Sequence, residues 1–308
     1  MRIGLNEVKG VQLDGYLRHR VVLPVYIPKL EGYYEHALEI LKLCLESLRL
    51  TVAGRANVTI VCNGSIEVVV EELRRQYAAG WIDQLVLNQT NRGRVDGVVP
   101  TARGAYEELI TITDCDVLFT PGWLEAVEDI FRQFPECGFA SPSPNPIFTW
   151  YYNTATTLGG FASRELAFEK VVPDADLDRF AHSIGRPDLY RPEHRRSQMI
   201  LKRGGATACV GCGHFVFTIR REVMAAYPKD PCLKAMGGGS PQIHDLPPDK
   251  LGYWRLSTTR AYAYHMGNTP EPWMYDQLAE YRAAAGTGQP AEARREALPA
   301  RLPRTSRL

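Results

Sequence analysis

Arg20-Val21-Val22-Leu23-Pro24-Val25-Tyr26 is a short, β-branched apolar run, and an amphipathic helix pattern comes soon after it. Over residues 33–50, apolar side chains fall at Ala37, Leu38, Leu41, Cys44, Leu45 and Leu48, a stripe of 3.6-residue period. A continuous apolar run paired with such a helix reads as a strand buried on both faces, as in parallel sheets. The unit recurs. Asn57-Val58-Thr59-Ile60-Val61-Cys62 is a second strand, and residues 66–79 a second helix with Glu71, Glu72, Arg74 and Arg75 outward. Residues 83–87 are a third strand, residues 88–94 a polar loop, and Leu109–Thr113 a fourth strand. Strand and helix alternating through short links predict an α/β fold with a mostly parallel, doubly wound sheet and right-handed crossovers.

In such a sheet the ligand sits at the carboxyl ends of the strands. Four polar features fall there: residues 24–26, Asn63-Gly64-Ser65, Asn91-Arg92-Gly93-Arg94, and Asp114-Cys115-Asp116. Further along, Thr120-Pro121 has the form of a helix start, Thr as N-cap and Pro at the first helical position. That helix runs to Pro135. Phe148-Thr149-Trp150-Tyr151-Tyr152 is unusually aromatic, and Trp150, Tyr151 and Tyr152 either offer a stacking surface to a ligand or form core under a long loop. Residues 162–208 show poor periodicity. Residues 215–219 read as a strand, 220–227 as a helix, and 260–264 as a last strand delivering His265. Lys234-Ala235-Met236-Gly237-Gly238-Gly239-Ser240 is glycine-rich enough for a lid over the site, or for a plain linker.

The 308 residues suit one large domain. We expect it over residues 1–282, with a ligand-binding half at about 18–120 and a second half at about 121–282. Residues 283–308 carry five Arg against two Glu, a charge of +3 that leaves −2 for the rest of a chain whose net charge is +1. With three Pro, two Gly and no aromatic residue, this tail reads as disordered. It is a candidate for peripheral contact with anionic lipid, or simply a solvated end. A slightly acidic body argues against a nucleic-acid partner. No apolar run reaches the roughly 18 residues of a membrane span, and the first residues lack the apolar core of a secretion signal. The expectation is a cytoplasmic protein, at most peripheral at the inner face of a membrane. The seven Cys then default to free, buried thiols. Cys209-Val-Gly-Cys212 with His214 beside it has a metal-like spacing but no second pair, so small apolar fillers are the favoured reading.

Asp114 and Asp116 alone would be an ordinary turn after a strand. At a strand-end crevice, two carboxylates can also hold Mg²⁺ or Mn²⁺, which completes its shell with phosphate oxygens and neutralises a diphosphate leaving group. Neither Gly-x-Gly-x-x-Gly nor Gly-x-x-x-x-Gly-Lys-Ser/Thr occurs. A dinucleotide-dependent dehydrogenase and a P-loop nucleotidase are therefore disfavoured.

In these residues the sequence resembles the family 2 glycosyltransferases with the A-type (GT-A) fold. Val21-Val22-Leu23-Pro24-Val25-Tyr26 is similar to the opening VIIPTYN, and Thr59-Ile60-Val61-Cys62-Asn63-Gly64-Ser65 to IIVVDNGS. Leu45-Glu46-Ser47-Leu48 fits the first helix, and Asp114-Cys115-Asp116 with Pro121-Gly122-Trp123-Leu124 fits DxD…PGWL. The likeness covers residues 20–135 well. It is patchy over 205–268, where Gly211-Cys212-Gly213, Arg220-Arg221-Glu222 and Tyr264-His265-Met266-Gly267-Asn268 look like the acceptor-side and closing histidine segments.

The resemblance implies a metal-dependent transfer of a sugar from a UDP- or GDP-type donor to an acceptor hydroxyl, with inversion. Pro24, Val25 and Tyr26 would line the base, with Asn63 near it and Arg94 toward the phosphates. Cys62 stands where the family has an acidic residue, so one polar contact is missing or supplied elsewhere. Asp114 would face ribose and metal, with Cys115 beside the nucleotide sugar, and Asp116 and His265 would complete the metal site. An inverting transfer needs a carboxylate to take the acceptor proton. His244-Asp245 and Asp249, ahead of Gly252-Tyr253-Trp254, are the candidates, with Asp245 first; the alternative is a turn around Pro247. A retaining transferase, a sugar nucleotidyltransferase and an inactive nucleotide-sugar-binding subunit stay open, as do the sugar, the acceptor and a homo-oligomer.

Overall fold

The computed structural model describes residues 9–11, 17–235 and 241–285. The first half runs β1 (His19–Val25), α1 (Ala37–Val52), β2 (Ala56–Asn63), α2 (Glu67–Ala78), β3 (Gln84–Asn88), α3 (Arg94–Arg103) and β4 (Leu109–Thr113). Then come β5 (Val117–Phe119), α4 (Trp123–Gln133), β6 (Cys137–Ser141), α5 (Thr154–Ala162), β7 (Leu166–Glu169), α6 (Asp174–Ser183) and α7 (Pro192–Arg196). The chain continues with β8 (Gln198–Arg203), β9 (Ala206–Val210), β10 (Val216–Arg220), α8 (Arg221–Ala225) and α9 (Leu246–Lys250). It closes with β11 (Trp254–Ser257), β12 (Ala263–His265) and α10 (Pro272–Ala285).

Ten strands form one sheet in the order β3-β2-β1-β4-β10-β6-β11-β9-β8-β7, and β12 pairs with β5 in a separate two-stranded sheet. β3, β2, β1 and β4 are mutually parallel, in register Val21 with Val58 and Val25 with Cys62. β10 runs against β4 and β6, and β7 and β9 also run against the rest, so seven of the ten strands share one direction. This is the expected α/β class.

Side chains alternate across a strand, and β1 divides its apolar residues between two cores. Val21, Leu23 and Val25 pack with Leu41, Cys44, Leu45 and Leu48 of α1 and with Phe131 of α4. Val22 packs on the other face with Val95, Val98 and Ala102 of α3 and Val223 of α8. Helices cover both faces, as the doubly wound pattern requires.

Three local expectations change. Arg94, expected to end a polar loop, opens α3, a helix that accommodates Pro100 while burying Val95, Val98, Val99 and Ala102. The helix after Pro121 starts at Trp123, with Gly122 at its cap in the left-handed region (φ 87°) and no side-chain cap from Thr120. α10 extends through Ala285, so the expected tail boundary at 283 falls inside a helix; the remainder of that tail lies outside the described residues. So do residues 236–240 of the expected lid. None of the described helices is long and apolar enough to cross a membrane.

At the amino end of β1, Arg20 and Glu107 form a buried charged pair beside the sheet, with the half-exposed Asp83 at its edge. Arg20 donates to Glu107 Oε1 (2.9 Å), Thr59 Oγ1 (2.7 Å) and Asp83 Oδ2 (2.7 Å), and Asn57 donates to Glu107 Oε1 (2.7 Å). Burial pushes the Glu107 carboxyl up, but the hydrogen bonds from Arg20 and Asn57 outweigh it and hold the group below its ordinary range.

Candidate active site

At the carboxyl ends of β1, β2 and β4 lies a cavity of about 320 Å³. Pro24 and Tyr26 reach it from β1, Asn63 from β2, Arg94 from the start of α3, and Asp114, Cys115 and Asp116 from the turn after β4. His265 and Gly267 close it from the segment at β12. Eight of the expected nucleotide-sugar and metal residues are among its lining. Val25 is the exception: it is fully buried on the α1 side of β1, because alternation that turns Pro24 and Tyr26 to one face turns Val25 to the other.

Asn63 organises the loop between β3 and α3. Its Nδ2 donates to Asn91 Oδ1 (3.0 Å) and to the Gly93 carbonyl (3.1 Å), and its Oδ1 accepts from the Arg92 N–H (3.1 Å). Gly93 (φ 85°) approaches the 230s segment so closely that a Cβ there would sit 2.2 Å from the Lys234 carbonyl oxygen. The adjacent Arg94 N–H donates to the Ala235 carbonyl (3.1 Å). Cys62 is buried in the core, so no polar side chain from that position reaches the site.

Arg94 donates through Nε to Asp114 Oδ1 (2.7 Å), and its Nη2 lies 2.6 Å from the same oxygen. That ion pair engages one oxygen of the first acidic residue. The second behaves differently. Asp116 Oδ1 is buried with no hydrogen-bond partner among the described residues, and Asp116 Oδ2 lies 3.4 Å from His265 Nε2. Burial pushes the Asp116 carboxyl up; His265 opposes the shift and the charge of Asp114 reinforces it. The β5–β12 pairing creates this contact, since it sets His265 opposite Val117 and lets the Met266 N–H donate to the Asp116 carbonyl (2.7 Å). His265 Nδ1 is 3.0 Å from Ser183 Oγ and accepts from the Gly267 N–H at 3.2 Å.

Among the described residues, no three His, Cys, Asp or Glu side chains converge as a metal-binding cluster. An unpaired buried carboxylate oxygen beside an imidazole nitrogen nevertheless fits a hard divalent cation, which takes few protein ligands when phosphate oxygens supply the others. All seven cysteines are free. Cys209 and Cys212 are buried; burial pushes the Cys209 thiol up to about 12 and the Cys212 thiol well above its ordinary value. They act as apolar filling.

The expected bases sit elsewhere. Asp245 is fully buried and lines no part of the cavity; it pairs with the equally buried Arg255, and its Oδ2 lies 2.5 Å from His214 Nε2. Asp249 Oδ1 accepts from the Ala155 N–H (2.7 Å) in the first turn of α5. His244 is buried against Phe217 and Tyr227, and burial holds its imidazole well below the ordinary value. None of the three offers a free group to the cavity. Trp150 and Tyr151, for which core was one alternative, are exposed, Trp150 by 72%.

Sequence reading missed Tyr33 and Tyr34, which line the cavity from the 3₁₀ turn at Gly32–Tyr34. Burial and the nearby Asp116 charge push the Tyr33 hydroxyl up. The doubled tyrosine just after β1 was the available signal.

No protein-family model and no curated protein matches the chain. Among solved structures, residues 1–349 of TarS from S. aureus align at 11% identity and a TM-score of 0.47, over 87% of this chain and 65% of that one. This chain thus spans less than two thirds of the matched TarS fragment. The mannosyltransferase PcManGT from Pyrobaculum calidifontis, in complex with GDP-mannose and Mn²⁺, aligns at 16% identity and 0.44, over 89% and 77%. Glucosyl-3-phosphoglycerate synthase from Mycobacterium tuberculosis, with Mn²⁺, UDP and glucosyl-3-phosphoglycerate, aligns at 10% and 0.43, over 87% and 80%.

Proposed function

We propose that this chain is a glycosyltransferase that moves a sugar from a nucleoside-diphosphate sugar, of UDP or GDP type, to an acceptor hydroxyl, with inversion at the anomeric carbon. The observation that carries the reading is the strand-end cavity itself, where Tyr26, Asn63, Arg94, Asp114, Asp116 and His265 converge and one Asp116 oxygen has no partner among the described residues.

The residues divide the work by chemistry. Pro24 and Tyr26 offer an apolar and aromatic wall for the base, and Tyr33 and Tyr34 the facing wall. Arg94, poised beside Asp114, supplies a guanidinium for phosphate oxygens. Asp116 and His265, with Asp114 nearby, would hold Mn²⁺ or Mg²⁺. The cation would stabilise negative charge on the departing diphosphate.

The test is release of UDP or GDP from UDP-glucose, UDP-N-acetylglucosamine and GDP-mannose by the purified chain, with Mn²⁺ or with excess EDTA. The reading expects metal-dependent release from at least one donor. Release that EDTA leaves unchanged would remove the cation from the account; no release from any donor would remove the transferase.

A further inference from the structure

The structure joins the donor cavity to a second polar group through one arginine. Arg94, whose Nη2 is 2.6 Å from Asp114 Oδ1, also donates from that nitrogen to the His214 carbonyl (2.7 Å). The His214 ring, on the link between β9 and β10, meets Asp245 Oδ2 through Nε2 at 2.5 Å and rests edge-on against Phe148, centroids 5.1 Å apart. Its side chain, just beyond the cavity lining and joined to it through Arg94, is 20% exposed, whereas those of Asp245 and Arg255 are fully buried.

Asp245 is held on both oxygens, by Arg255 on Oδ1 and by His214 on Oδ2. A carboxylate so placed cannot meet an acceptor hydroxyl, but it can set the tautomer of the imidazole in front of it. With Nε2–H donated to Asp245, a neutral His214 ring carries its lone pair on Nδ1, which has no hydrogen-bond partner among the described residues. This is the logic of a carboxylate-oriented histidine base.

We propose that His214 is the catalytic residue that takes the acceptor proton, and that Asp245 is its positioning residue. The proposal rests on the transferase reading above. As the acceptor oxygen bonds to the anomeric carbon, the bond from that carbon to the diphosphate oxygen breaks and its electron pair leaves on the diphosphate. The hydroxyl proton passes to His214 Nδ1, and the imidazolium returns it to water after the product departs.

The experiment follows nucleotide release from the same three donors with Mn²⁺, water serving as acceptor, in the full chain and in His214→Gln and His214→Gly. Gln keeps a donor to Asp245 without a base. Its turnover should fall by about 10²–10⁴-fold while UDP–Mn²⁺ or GDP–Mn²⁺ affinity stays within about threefold of wild type. Added imidazole should restore part of the rate to His214→Gly, which a merely structural role would not allow. Wild-type turnover in His214→Gln overturns the proposal. So does a loss of rate that imidazole does not rescue and that nucleotide affinity follows in parallel. If the unaltered chain releases nothing from any donor, the transferase reading fails, and this proposal with it.

Discussion

His265 Nε2 lies 3.4 Å from Asp116 Oδ2, across the small antiparallel sheet in which β12 sets His265 opposite Val117. The contact joins the turn after β4 to the end of β12, and its Asp116 carboxylate keeps one oxygen buried without a partner among the described residues. Asp116→Ala should therefore abolish Mn²⁺-dependent nucleotide binding and leave the fold intact. Turnover should drop by at least about 10²-fold, since a Lewis-acid cation contributes several kcal/mol. Isothermal titration of UDP and GDP with and without Mn²⁺ checks this; unchanged metal dependence in the variant contradicts it.

Ser183 does not itself line the cavity, yet its Oγ is 3.0 Å from His265 Nδ1. A cation on Nε2 would move the ring proton to Nδ1, trading the hydrogen bond from the Gly267 N–H for a donation to Ser183 Oγ. Partners of this kind orient metal-binding histidines, and losing one typically costs 10–100-fold in metal affinity, roughly what Ser183→Ala should show. His265→Ala should lose more. Mn²⁺ titrations monitored by nucleotide fluorescence or calorimetry would separate the two.

Asp245 and Arg255 form an ion pair with neither side chain exposed. Arg255 also donates to the carbonyls of Tyr152 and Cys212, both at 3.3 Å, but Asp245 is its paired charge. Asp245→Ala strands a buried guanidinium and should cost about 3–5 kcal/mol of unfolding free energy. Replacing both residues together, as Asp245→Leu with Arg255→Met, should cost less than the sum of the single changes. Denaturant unfolding of the four proteins measures the coupling, and strict additivity would show that the pair does not couple.

The Arg20–Glu107 cluster gives the fold an acid dependence. Glu107 has its folded-state value depressed, so its contribution is full above the ordinary carboxylate value and is lost as pH falls through the folded-state value. Glu107→Gln should remove that part of the acid sensitivity and lower stability at neutral pH. Unfolding curves from neutral to acid pH should therefore converge for variant and parent; a constant difference across that span contradicts the assignment.

Most of the first half of the fold was legible because its main strands are single apolar runs and α1 and α2 are clean stripes, whereas α3, interrupted by Pro100, was not read. β4 was read to the residue, and β1 and β2 to within one. The second half hid itself. β11 is Trp254-Arg255-Leu256-Ser257, a buried strand whose central arginine breaks the apolar run, and β6 is Cys137-Gly138-Phe139-Ala140-Ser141. The same arginine hid the role of Asp245. Ten residues downstream and one strand away, Arg255 takes the carboxylate that motif spacing had assigned to the acceptor. His214 carried a signal, a histidine just after Gly-Cys-Gly, but only folding brings it to Asp245.

The most direct test of the central claim is the melting temperature of the full chain with UDP and with GDP, each with and without Mn²⁺. Ligand at about a hundred times its dissociation constant adds about 2.7 kcal/mol to the native state. At about 2 °C per kcal/mol for a domain of this size, one nucleotide with Mn²⁺ should raise the midpoint by about 5 °C. EDTA should abolish the shift, and Asp116→Ala should abolish it as well. A midpoint that neither nucleotide moves in the presence of Mn²⁺ would contradict the claim.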